Sequence, residues 1–149
     1  MKRIIIFSLI LALVLLLTSC ADTRSAEDVL LDITKDIDAL PFGNLYLKSA
    51  KEGEDAHPSD SLIHTLYHDR ATEYEFTLIE DYAIYISSHK PCEVAVYKCY
   101  SSSDTDVIAA MCLSRIDKLC VWLEGTPFAD IPKNAIVRIN GRIVSVIMV

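Results

Sequence analysis

Ile136-Val137-Arg138-Ile139-Asn140-Gly141-Arg142-Ile143-Val144-Ser145-Val146 reads as two short strands joined at Asn140-Gly141. β-Branched residues dominate both arms, and Asn-Gly suits the positive φ angles at the centre of a type I′ turn. The pairing predicted from that turn places Ala135, Val137 and Ile139 on one face with Val144, Val146 and Met148. An antiparallel hairpin with one apolar face needs a partner to cover it. The preceding segment supplies one. Ser103-Asp104-Thr105-Asp106 crowds N-cap residue types before a helical pattern that runs from Val107 to Leu123, where Gly125 and Pro127 stop it. Between Val107 and Leu113 this helix is apolar almost all round, which predicts burial on more than one side.

Upstream, Tyr82-Ala83-Ile84-Tyr85-Ile86 has the β-branched and aromatic content of a strand, and His89-Lys90-Pro91 of a turn. Glu93 to Tyr100 alternates as a second strand, with Val94 and Val96 on one face and Ala95, Tyr97 and Cys99 on the other. Near the start, Ser25 is placed as an N-cap, with Glu27 and Asp28 in the first turn. Val29, Leu30, Ile33, Ile37 and Leu40 then recur at helical spacing, which predicts an amphipathic helix over about 26–40. Residues 43–61 read as an irregular surface segment, followed by a short helix capped by Ser59 or Asp60 and running to Tyr67. The sum is an α+β domain: an N-terminal helix, then β-β-α-β-β, with an antiparallel sheet packed on helices.

Before this domain lies a different kind of segment. Lys2 and Arg3 precede an almost unbroken apolar run from Ile4 to Leu17, then Leu17-Thr18-Ser19-Cys20. A basic head, an apolar middle and small residues form an export signal. The leucine, two small residues and cysteine have the form of a bacterial lipobox, whose cysteine receives a diacylglyceryl thioether and becomes the first mature residue. A transmembrane helix is the rival, but the run falls short of the roughly 20 residues that span a bilayer. The predicted organisation is therefore a signal peptide at 1–19, lipidated Cys20 with a short tether to 25, and one domain over 26–149. Two or more acyl chains on Cys20 would anchor it stably to the extracytoplasmic face of the cell membrane.

Residues 1–19 hold Lys2 and Arg3 and no acid, so their removal takes the net charge from −7 to −9. That balance, without any block of Lys or Arg, argues against a nucleic-acid partner. Cys92, Cys99, Cys112 and Cys120 remain. Cys112 and Cys120, eight residues apart on one helix, stand about 12 Å apart and cannot be bridged. Crossed pairing with Cys92 and Cys99, or four buried thiols, stay open.

Tyr82–Ser87, Glu93–Lys98, the long helix and the terminal Asn-Gly-Arg hairpin resemble, in that order, a small-lipoprotein family found mainly in Gram-positive bacteria. It is the family described as domain of unknown function four-three-five-eight. The resemblance covers roughly residues 26–149 and implies a lipidated extracytoplasmic domain with no established catalytic residues. The wide Gly43–Thr72 segment and the four mature cysteines depart from it.

Few residues suggest chemistry. His64 and His68 stand four apart near His57, Asp60 and Asp69, and two imidazoles at that spacing share a helix face suited to a transition metal. No glutamate stands between them as in the metalloprotease helix motif. A second metal set would combine His89, Cys92 and Cys99. Cys92, three residues after His89, is the one candidate thiol nucleophile. Tyr85 and Tyr97, if outward on paired strands, would offer an aromatic recognition face. No catalytic set converges and no cofactor motif occurs. The reading favours a non-enzymatic binding module with an unknown protein or envelope partner; the alternative is a metal-binding or thiol-dependent protein using His57, His64, His68 or Cys92.

Overall fold

The computed structural model describes residues 23–67 and 72–149. Helix α1 (Ala26–Lys35) is followed by strand β1 (Gly43–Leu47), then α2 (Asp60–Tyr67) and α3 (Thr72–Thr77). β2 (Ile79–Ser87) and β3 (Glu93–Cys99) lead to a 3-10 turn at Ser102–Asp104 and the long α4 (Thr105–Trp122). A short α5 (Asp130–Lys133), then β4 (Ile136–Asn140) and β5 (Ile143–Met148), complete the chain. The five strands form one antiparallel sheet in the order β1-β2-β3-β5-β4. The expected α+β architecture is present, with β1, α3 and the short α5 added to it.

The two faces of β3 build two cores. Ala95, Tyr97 and Cys99 join Ile84, Val144 and Val146 beneath Ile108, Cys112 and Ile116 of α4. Val94 and Val96 meet Ala83 and, from α1, Ala26, Val29 and Leu30. Every residue of β3 is therefore buried, as a central strand covered on both sides requires. The predicted alternation along Glu93–Cys99 was right.

Four local readings need correction. First, α1 stops at Lys35, about a turn and a half short of residue 40. Its start is as expected: the Ser25 side chain accepts from the Asp28 N–H at 3.1 Å, and Asp28 reciprocates. At its end, Asp36 and Ile37 close 3-10-type bonds to Ile33 and Thr34, and Ala39 takes φ 56° to turn the chain toward β1. Ile37 and Leu40 still pack on the α1-side core, so their spacing reported burial and not helix.

Second, Gly43–Leu47 is a strand, where an irregular segment was expected. A Cβ on Gly43 would collide with the Ile86 carbonyl and lie 2.8 Å from Ser87 Cα, so glycine lets β1 approach β2. Third, the hairpin turns on Gly141-Arg142, because Asn140 pairs with Ile143. Gly141 has φ 61° and Arg142 does not share that region, which is the type II′ pattern with glycine first. The register moves by two residues, so Val137, Val144 and Val146 still face α4.

Fourth, α4 is buried on one side only. Val107 and Leu113 face solvent, as do Val121 and Trp122 of its last turn. The sheet, α2 and α3 cover its other side, and no further layer exists among the described residues to cover this one.

Candidate functional site

The chain joins the domain at a polar clamp on one end of the sheet. Lys98 of β3, almost fully buried, donates to the Arg24 carbonyl at 3.1 Å. Asp81 of β2 accepts the Ala26 N–H at 2.8 Å. A bulge in β2 between Ile79 and Asp81 shifts the register there and accompanies the re-aiming of Glu80 toward its neighbours. Glu80 receives Arg142 from the hairpin turn at 2.6 Å and lies 3.7 Å from the Lys98 ammonium. Arg142 also donates to the carbonyls of Cys99 and Tyr100. Alternation puts Lys98 on the α1 face with Val94 and Val96, so its four-carbon stem crosses apolar core while its head meets the backbone. The clamp thus fixes residues 24 and 26 against β2 and β3, two of the three inner strands.

A second polar group lies inside the other core. Glu93, 2% exposed, accepts from Arg115 Nε at 2.6 Å and from the Tyr67 hydroxyl at 3.2 Å. Arg115 spends another N–H on the Leu66 carbonyl at 2.6 Å and lies over the Tyr67 ring. One guanidinium therefore ties α4, β3 and the last turn of α2 together, and satisfies a carbonyl that the helix end leaves open. Tyr97 stacks edge-on with Tyr67 at 6.0 Å, with its hydroxyl buried and without a hydrogen-bond partner among the described residues. Burial holds that phenol well above its ordinary pKa.

Comparison with protein-family models, with curated proteins and with solved structures finds no match.

The residues singled out from sequence are scattered. Cys20 and His68 lie outside the described residues, as does the side chain of His64. His57 is exposed, its Nδ1 3.0 Å from the Ala50 carbonyl oxygen. Among the described residues no three His, Cys, Asp or Glu side chains gather where they could hold a metal ion. The aromatic face is not formed. Tyr97 is wholly buried beneath α4, while Tyr85 lies on the opposite face and donates its hydroxyl to the Pro41 carbonyl. Tyr97 pairs with Tyr82 and Tyr85 with Val94, so the two tyrosines differ in parity across the ladder.

Cys92 is buried against the sheet end, 2% exposed, and burial pushes its thiol up, with Lys90 opposing. A nucleophile needs the reverse shift. All four described cysteines are free thiols. Burial, with Asp104 adding and Arg142 opposing, pushes Cys99 up to about 11 from an ordinary 9.0, and burial also raises Cys112. Between those values the unfolded chain releases protons that the folded one keeps. Stability is therefore whole below pH 9 and falls as pH rises from about 9 to about 11. Urea titrations across that window should show the loss, and Cys99→Ala should make it shallower.

The clamp was not visible beforehand because its partners are far apart in the chain. Arg24 and Lys98 are 74 residues apart, and Ala26 and Asp81 are 55 apart. A lysine breaking the apolar alternation of β3 is the one sequence signal that could have pointed to it.

Proposed function

We propose that this chain is a lipoprotein held by acyl chains on Cys20 at the extracytoplasmic face of the cell membrane. There its domain binds a partner without catalysing a reaction; the resemblance to family four-three-five-eight implies the lipidated, extracytoplasmic placement. The observation that carries the reading is the clamp. Cys20 is only four residues before Arg24, a reach of at most ~14 Å, and the clamp fixes Arg24 in place. A lipidated Cys20 would hold the sheet end with Lys98 and the hairpin turn close to the bilayer. The opposite end, with the β2–β3 turn at Ser88–Pro91 and Phe42, 76% exposed, would then point away.

The lipobox form of Leu17-Thr18-Ser19-Cys20 supports covalent anchoring. Among the described residues no helix is long and apolar enough to cross a membrane. The buried polar residues also suit a scaffold: Glu93, Lys98 and Arg115 each bind protein groups, so their hydrogen-bonding capacity serves the fold.

Fatty-acid labelling in cells, followed by membrane fractionation, tests the proposal. The native chain should incorporate label and sediment with membranes. Cys20→Ala should lose the label entirely and enter the soluble fraction or remain as uncleaved precursor. Equal labelling of Cys20→Ala would end the proposal.

A further inference from the structure

The two edges of the sheet are treated differently. At the end of β1 the Leu47 N–H donates outward to the Ala56 carbonyl at 2.9 Å, so the following loop folds back over the last residue of that edge. β4 is open. β5 occupies one side of it, and on the other its backbone groups meet no hydrogen-bond partner among the described residues. An edge of this kind normally carries a proline, a bulge, a cover or a charged side chain that discourages strand addition. β4 has only the charge of Arg138, and Ile136 and Ile139 are 44% and 48% exposed, on opposite faces.

Charge selects among occupants. Residues 131–149 contain Lys133, Arg138 and Arg142 and no acid, inside a chain of net charge −7. Arg142 is engaged by Glu80, and Lys133 lies 3.7 Å from Asp130. Arg138, at the centre of β4, is exposed and has no ion pair among the described residues. A second copy is disfavoured, since full antiparallel overlap of two β4 strands sets Arg138 across from Arg138. A cationic, apolar edge on an acidic domain matches an acidic strand.

We propose that β4 receives an extended segment of a protein partner as a sixth strand, with carboxylates on the face of Arg138 and apolar side chains on the opposite face beside Ile139. Backbone bonds would supply the affinity, and the alternating side chains the choice of partner. This rests on the binding-module reading and gives it a surface.

The test uses the full chain in detergent micelles and two synthetic peptides, alternating valine–glutamate and alternating valine–lysine, read by hydrogen exchange. The glutamate peptide should slow exchange several-fold across residues 136–140, while the lysine peptide leaves it unchanged. Arg138→Glu, an exposed change, should invert that preference. Slowing by neither peptide, slowing by both alike, or slowing confined to other segments overturns the proposal. So does slowing that depends on protein concentration with no peptide present, which would mean a second copy. None of these readouts involves lipid, so fatty-acid labelling at Cys20 judges the anchor separately.

Discussion

Arg115→Ala should lower the unfolding free energy by about 3–5 kcal/mol, as removal of one member of a buried ion pair does. The argument concerns what is left behind. Glu93 is 2% exposed and takes its short bond from Arg115, so truncation leaves a carboxylate in the core with only the Tyr67 hydroxyl. The Leu66 carbonyl at the end of α2 loses its donor in the same step, and Tyr67 loses the cation over its ring. Replacing both partners by apolar residues, Glu93→Leu with Arg115→Met, should recover much of the loss, since no charge is then stranded. Urea denaturation of the single and double variants measures both effects. A loss below about 1 kcal/mol for Arg115→Ala would mean the pair behaves like a solvated surface bridge.

Leu30→Ala should cost about 2–5 kcal/mol, the range for emptying a buried leucine site. Leu30 is 2% exposed and packs with Ala26 and Val29 over Ala83, Val94 and Val96. The consequence is also local. Among the described residues α1 is the single helix on its side of the sheet, ten residues long, so its attachment rests on few side chains. Hydrogen exchange in α1 should therefore quicken beyond what the global loss explains, while α4 exchange tracks global stability. Uniform quickening across both helices would show that α1 and the sheet unfold as one unit.

Local chemistry was legible where one signal dominated. Ser25 with Asp28 set the start of α1, and the alternation of Val94 and Val96 with Ala95, Tyr97 and Cys99 set both faces of β3. β1 was hidden because Gly43 and Asn44 look like turn residues. Gly43 is there so that a strand can come close to Ile86, which only the tertiary pairing reveals. Asn140-Gly141 carried a strong turn signal, yet the loop settled one residue later, where Arg142 can reach Glu80. The exposed apolar side of α4 misled for the opposite reason: composition counts apolar residues without saying how many layers exist to cover them. The clamp and the Glu93–Arg115 pair join residues far apart in the chain, and no periodicity reports such pairs.

The clamp also determines how the molecule would bear mechanical load. A pull transmitted through residue 24 meets Lys98 and Asp81 first, and these sit on β3 and β2, each with a neighbouring strand on either hand. Tension would therefore spread into ladders on both sides, and α1 would not peel away as the first element to give. A leash tied to the middle of the fabric tolerates tugging better than one sewn to its hem.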